Sequence, residues 1–478
     1  MNKNDIKFQV LDWNSCHIDY ETEDPTGKNE TTISKKYVIR LFGRTHENKT
    51  IYVQVDGYTP YFYICVEDTW NNKIADIFIN HLKNNIKMKA DNGSWVLCSN
   101  EFMGYEIEKK HKFVEFTNFK KYTFLKLIFN DHNVMKRWAR YLGKENIYRI
   151  PGITGWRAKK TKFELFESNI DPILRCMHIR NLEGVGWIGI KGKKYEMLSK
   201  ISSCCQINIS TNWSSLVRIN DNTLLPYVIA AFDLECQSED GSFPQAKRTN
   251  DKIIQIGTTF SRVGESECYD QHIIVLGSCD PIEGVTVVEC ETEKDLLIEW
   301  TKMIRKKNPD ILTGYNIFGF DYQYMKDRAH KLGISETFEQ LSRISGEKTD
   351  FKIKDLTSSA LGKNIMTYYD MIGRLSVDLM KIVQRDYKLM SYRLDYVASY
   401  FIRENISDIK YDNVKKRTEI YTKSIYGIQI GRYVNIYYND GINENKHMGD
   451  KKFQIKGFTK KELDGKMYDV ILVNENIN

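Results

Sequence analysis

Two carboxylates stand one residue apart at the end of an apolar run in "LLPYVIAAFDLEC", residues 224–236. No other feature limits so strongly what this chain can fold into. The run reads as a buried strand, and side chains alternate faces along a strand, so Asp233 and Glu235 point to the same side. Burying one unpaired carboxylate is expensive. A second beside it is tolerated only with a cation, a shared proton or solvent.

The chain has 478 residues, 28% of them charged and 41% hydrophobic, which suits an ordinary soluble protein of two to four domains. No uninterrupted apolar stretch is long enough to span a bilayer, and the start "MNKNDIKFQVLDWN" lacks the apolar core of a secretory signal. The ten cysteines form no CxxC pair. That usage predicts an intracellular, reduced chain without structural zinc. Net charge is +7, but Gly104–Lys162 alone holds fifteen Lys and Arg against five Asp and Glu. Aromatics are interleaved there, as in "EFTNFKKYTFLKLIFNDHNVMKRWARYLG". Two readings stay open: a phosphate-tracking surface with base-stacking groups, or a solvated helix whose Phe124, Leu127, Ile128 and Phe129 face a core.

Residues 35–66 alternate apolar and polar around turn signals and predict an antiparallel hairpin or meander. The segment 120–142 reads as helix. Gly184, Gly186 and Gly189 spell GxGxxG, but a helix precedes them and no helix opens on them, so a dinucleotide site is set aside. From residue 222 the pattern becomes α/β. "DKIIQIGTTFS" and "QHIIVLG" predict two further strands. "ETEKDLLIEWTKMIRKKNPD" predicts a helix, with acids at its N-terminal end and Arg305, Lys306 and Lys307 at its C-terminal end to match the dipole. "DILTGYN" predicts a strand, and "FDYQYMKDRAHKLG" a helix closed by Gly333. These elements imply a mixed sheet flanked by helices.

Asp321, in "GYNIFGFDYQYM", follows a glycine-rich turn and starts that last helix. If its strand neighbours the one carrying Asp233 and Glu235, the three carboxylates approach one another. Three carboxylates without nearby Lys or Arg make an oxygen-only site suited to Mg²⁺, with Mn²⁺ as a substitute. Two such ions roughly 4 Å apart activate a water and stabilise a leaving 3′-oxygen, which is the chemistry of phosphodiester hydrolysis. On spacing alone, a solvated acidic pair and a helix-capping Asp account for the same residues. Cys236 reads as structural, since acids beside a thiol raise its pKa.

Several longer stretches together carry more information than the pair. "FDLEC", with "SFPQAKRTNDKIIQIG" after it, resembles the first exonuclease motif of B-family DNA polymerases, the class of eukaryotic delta-type and large-DNA-virus enzymes. "GYNIFGFDYQYM" resembles their second motif, and "GRLSVDLMKIVQRDYKLMSYRLDYVASYF" the segment after it. "IRLFG", "DGYTPYFYICV" and "FESNIDPILRCMHIRNLEGVGWI" are similar to the family's N-terminal domain. The resemblance runs in order from about residue 8 to about residue 403.

It implies a ribonuclease-H-like 3′→5′ proofreading exonuclease domain (222–405), a mixed sheet flanked by helices, behind a β-rich α+β N-terminal domain (1–221). Residues 406–478 read as the start of a strand-rich insertion. By motif position, Asp233, Glu235 and Asp321 are the implied catalytic residues and ligands of two Mg²⁺ ions. Asn316 and Phe320 are implied to line the substrate site, although both also suit core packing. The implied partner is DNA, as a single-stranded 3′ end or primer–template, with Lys120, Lys121, Lys136, Arg137 and Arg140 as basic contacts.

The family's Tyr-x-x-x-Asp third motif and its palm motifs have no match here. The expectation is an N-terminal piece of a polymerase that cannot polymerise alone and is completed by a second polypeptide. Its setting is then the nucleus or a viral replication site. The alternative is a non-catalytic single-stranded-DNA-binding module, or the relic of a split gene.

Overall fold

A computed structural model gives the fold and describes residues 5–23, 31–89, 93–113, 116–147, 160–199, 202–265, 267–356, 364–425, 427–439, 444–449 and 451–477. The chain divides into two compact units, Met1–Val377 and Asp378–Asn478. That division falls inside the 222–405 span.

Alternating sequence builds the first part of unit one. Its elements are β1 (Ile6–Glu23), β2 (Thr31–Thr45), β3 (Thr50–Asp56), β4 (Tyr61–Val66), α1 (Asn72–Asn85), β5 (Lys87–Lys89), β6 (Trp95–Leu97), β7 (Phe102–His111), β8 (Lys121–Phe129) and α2 (His132–Leu142). After β9 (Asn146–Ile147), β10 (Lys160–Thr161) and β11 (Leu165–Phe166) come α3 (Pro172–Arg180), β12 (Trp187–Ile190), β13 (Tyr195–Met197), β14 (Ile207–Asn212) and β15 (Leu216–Ile219). A seven-stranded sheet runs in the order β13-β14-β3-β2-β1-β12-β15, and a four-stranded sheet in the order β11-β4-β8-β7. Phe8, Val10, Leu41 and Val53 fill the core of the first sheet. Phe62, Leu125 and Leu127 pack beneath Phe78 of α1 and Trp138 of α2 in the second.

The helix expected over 120–142 is a strand followed by a helix. In "KYTFLKLIF", buried Leu125, Leu127 and Phe129 alternate with half-buried Lys126 and Ile128, and that period of two overrides the helical reading. Asp131 ends the strand's influence by capping α2, accepting from the amides of Asn133 at 2.6 Å and Val134 at 3.1 Å. The three glycines of GxGxxG lead into and join β12, which pairs with β1 and β15.

The second part of unit one is mixed α/β. It comprises β16 (Val228–Cys236), β17 (Ile253–Arg262), β18 (Asp270–Leu276), β19 (Thr286–Cys290), α4 (Glu293–Lys307), β20 (Ile311–Gly314), α5 (Asp321–Lys331), α6 (Ser335–Phe338), β21 (Asp350–Asp355), β22 (Ile365–Asp370) and β23 (Leu375–Asp378). Six strands form a sheet in the order β19-β18-β17-β16-β20-β23, with β16 antiparallel to β17 and parallel to β20. Leu297, Trp300 and Ile304 of α4 and Met325 of α5 are buried in its core. Thr292 caps α4 at one end, and Asn308 ends it in the left-handed region with φ 50°.

Unit two contains α7 (Leu379–Asp386), α8 (Leu394–Phe401), β24 (Ile406–Asp412), β25 (Arg417–Thr422), β26 (Tyr433–Val434), β27 (Tyr437–Asn439), β28 (Glu444–Lys446), β29 (Phe453–Leu463) and β30 (Lys466–Val473). Five of these strands form a sheet in the order β24-β25-β30-β29-β26 around Phe453, Ile455 and Val473. All ten cysteines are free thiols. No helix among the described residues is long and apolar enough to cross a membrane.

One buried carboxylate joins the two parts of unit one. Asp310, with no exposed surface, accepts from Arg44 Nε of β2 at 2.6 Å, from an Arg343 guanidinium nitrogen at 2.7 Å and from the Val228 amide of β16 at 2.8 Å. Replacing it would leave two buried guanidiniums without their carboxylate. Asp310→Ala is expected to cost about 3–5 kcal/mol, read as a lower urea midpoint with an unchanged slope.

Candidate functional site

β16 carries the acidic pair because its sequence alternates so regularly. Val228, Ala230, Phe232 and Leu234 are buried, while Asp233 and Glu235 are exposed on the opposite face. The two acids lie opposite Gly257 and Gln255 of β17, and a bulge follows Glu235. Neither carboxylate makes a hydrogen bond or ion pair among the described residues. Solvent exposure is therefore how the folded chain tolerates the pair.

β20 runs beside β16 in the register Ile229↔Ile311, Ala230↔Leu312 and Ala231↔Thr313. At its end the two backbones come so close that a Cβ on Gly314 would sit 2.6 Å from the Phe232 carbonyl oxygen and 2.5 Å from Ile317 Cγ2. Only glycine fits there. The chain then turns: Asn316 takes φ 63°, and its carbonyl accepts from the amides of Gly319 at 2.9 Å and Phe320 at 3.1 Å. Asn at such an angle is one of the few tolerable non-glycine choices. The turn delivers Asp321, 3% exposed, as the first residue of α5.

The three carboxylates do not arrive as one cluster. No group of three His, Cys, Asp or Glu side chains among the described residues is close enough to hold a metal ion. Asp233 and Glu235 are paired and open, whereas Asp321 is buried at its helix start. The donor set still fits a hard divalent ion. Both exposed groups are carboxylates, and no Lys or Arg among the described residues pairs with them. Asp321 and Glu235 also act at a distance on the half-buried Cys236 thiol, whose pKa burial first, then the charges of Asp321, Glu293 and Glu235, push up to about 12. Cys236 is thus no nucleophile at neutral pH.

A long connection from β16 to β17 flanks the pair. Buried Asp251 clamps it, accepting from the amides of Gln245 at 2.7 Å and Glu239 at 3.0 Å. From α5, Arg328 reaches under the same connection. It donates to the carbonyls of Ala246 at 3.0 Å and Arg248 at 2.7 Å and pairs with buried Glu293. This double anchorage holds exposed Phe243 edge-on against Phe320, ring centroids 5.2 Å apart, and Phe320 lies tilted against Tyr324 at 5.1 Å. Phe243 was not singled out from the sequence. Its signal was a phenylalanine between serine and proline in a polar loop, just after the acidic pair.

The five basic residues fall into two patches. Lys120 and Lys121 stand exposed where β8 begins, while Lys136, Arg137 and Arg140 lie on α2 beyond its other end. About 30 Å of strand separates them. Arg137 is already engaged, donating to the Lys87 carbonyl at 2.7 Å with its guanidinium 5.7 Å from the Trp95 ring centre.

Residues 163–397 match the family model described as DNA polymerase family B, exonuclease domain. A DNA polymerase of Acanthamoeba polyphaga mimivirus is 32% identical over 96% of this chain and 31% of its own length. A DNA polymerase of Pyramimonas orientalis virus is 30% identical over 90% of the chain and 44% of its own. The DNA polymerase delta catalytic subunit of Dictyostelium discoideum is 30% identical over 86% and 36%. The chain thus spans between 31% and 44% of these relatives' lengths. Among solved structures, the family B DNA polymerase of the hyperthermophilic archaeon Pyrobaculum calidifontis aligns with a TM-score of 0.52 at 17% identity, covering 83% of this chain and 39% of that one.

The tight passage at Gly314 is testable. Gly314→Ala forces a methyl group against backbone and should destabilise unit one by roughly 1–3 kcal/mol. Chemical denaturation followed by tryptophan fluorescence would read that loss.

Proposed function

Residues 163–397 belong to the exonuclease domain of DNA polymerase family B, and from that premise we propose that this chain carries a metal-dependent 3′→5′ proofreading exonuclease on a ribonuclease-H-like sheet. The observation that carries the reading is the unpaired, exposed Asp233–Glu235 pair at the end of an otherwise buried strand within the matched region. Carboxylates left without a protein partner at a strand end suit a site whose counter-charge comes with the substrate.

In this reading Asp233 and Glu235, with Asp321, would hold divalent magnesium, which would supply an activated water and counter-charge for the phosphate. Glu235 orients the attacking water. The water gives up a proton as its oxygen bonds to phosphorus, the bond from phosphorus to the 3′-oxygen breaks, that oxygen takes up a proton from solvent, and a nucleoside 5′-monophosphate leaves. Phe320, supported by Phe243, packs against the frayed terminal base, and Asn316 holds the turn that positions both Phe320 and Asp321. The two basic patches would contact the DNA backbone. Polymerisation is assigned to polypeptide outside these residues, in the same chain or a second one, and the setting to the nucleus or a viral replication site.

A second reading, a single-stranded-DNA-binding module without catalysis, has one observation in its favour: the described residues gather no three-ligand group. A 5′-labelled single strand incubated with the chain and Mg²⁺ separates the two. The exonuclease reading expects stepwise 3′ shortening that stops with chelator and falls at least about 100-fold in Asp233→Ala. Binding with no shortening, by wild type and variant alike, would leave only the second reading.

A further inference from the structure

The connection between β7 and β8 holds three phenylalanines that no core uses. Phe113, Phe116 and Phe119 are 104%, 91% and 87% exposed, and none belongs to the hydrophobic cluster beneath the hairpin. The hairpin's last cross-strand pairs are Lys110↔Tyr122 and His111↔Lys121, so these aromatics extend past the end of the sheet.

Phe119 is also strained. The Lys120 amide donates to the Thr117 carbonyl at 2.9 Å, closing a four-residue turn whose two central residues, Asn118 and Phe119, have φ 46° and 57°. Asparagine tolerates that region, but a bulky aromatic there is a genuine outlier where glycine would be the relaxed choice. Folding gains nothing in return, because the ring is in water. Backbone strain kept beside a solvated side chain points to a contact made outside the protein.

The charges around the tip say which contact. Lys110 pairs with Glu108, Lys112 with Glu164 and Lys126 with Glu106. Lys109, Lys120 and Lys121 are exposed and make no ion pair among the described residues. Exposed rings among lysines that pair with no carboxylate of the described residues match a polyanion whose own rings can stack, since every nucleobase presents a π face.

We propose that the β7–β8 tip is a single-stranded-DNA site, with bases stacking on Phe113, Phe116 and Phe119 and phosphates on Lys109, Lys120 and Lys121. The choice of DNA rests on the family reading above, whereas the stacking argument stands on the rings and charges alone. The site is distinct from the acidic pair on β16.

The test is fluorescence anisotropy of the full 478-residue chain with a labelled twenty-nucleotide thymidine oligomer. The oligomer has a blocked 3′ end and the buffer contains chelator. Hydrolysis then plays no part, so failure of the exonuclease reading cannot imitate failure here. Phe113→Ala and Phe116→Ala should each weaken binding about five-fold or more. Phe119→Gly should do the same while leaving the thermal midpoint unchanged or higher, a combination that a structural role for the ring would not produce. Lys120→Ala with Lys121→Ala should lower the salt slope by about 1.4. Wild-type affinity in all three phenylalanine variants would overturn the proposal. So would equal binding of an abasic oligomer, or loss of binding only to phosphatidylserine vesicles.

Discussion

Asp310 has no exposed surface, yet two guanidiniums and a backbone amide from three segments converge on it. It sits where α4 ends and β20 begins. Its own amide donates to the Val228 carbonyl at 2.8 Å, while its carbonyl accepts from the Leu375 amide at 2.9 Å. Arg343 and Arg374 also donate to the Pro309 carbonyl next door. A buried charge costs heavily unless paired and hydrogen-bonded, so every one of these partners must be present for the chain to close around it. The result is a single node that aligns β16 with β20 and ties both to β2 of the N-terminal sheet.

From that node outward, the candidate site follows by short steps. The β16–β20 register places the end of β20 beside Phe232, one residue before Asp233. Gly314 permits the approach, Asn316 turns the chain, and α5 begins at Asp321. On the other side of the pair, Arg328 of that same helix anchors the connection that carries Phe243. Among the described residues, the acidic pair itself is held by nothing but its strand.

Local pattern made much of this legible. Strict alternation exposed the shared face of Asp233 and Glu235, and acids and bases at opposite ends marked α4. The strand at 311–314 was readable as a strand, but its place beside β16 entered only as a condition that the register then met. Two failures are instructive. In "KYTFLKLIFNDHNVMKRWARYLG" an apolar-rich stretch, broken only by Lys126, masked a change of period, and the strand β8 disappeared into the helix that follows it. Asp310 passed unnoticed because an aspartate after Asn-Pro looks like an ordinary turn residue. Its importance comes from Arg44 and Arg343, which are distant in sequence and meet it only in the folded chain. Phe243 was missed for the same reason, since its neighbour Phe320 lies far along the chain. Phe119 raises the opposite case, in which the residue was visible and its backbone angle was not.

The anchorage of the β16–β17 connection has a mechanical consequence. Arg328 binds carbonyls on that connection from the helix that Asp321 begins, and Asp251 cross-braces it from within. Connection and helix are therefore braced together, and the backbone on either side of Phe243 is tied to the helix that carries Tyr324 and follows Phe320. A frame built this way changes little in the spacing of its backbone. On the proposed reading, an end laid between those rings and the acidic pair would have to be slim and flexible enough to fit a gauge set in advance, and a stacked, paired end is neither. Selection by stiffness of the incoming chain would then be a property of the frame, in force before any chemistry begins.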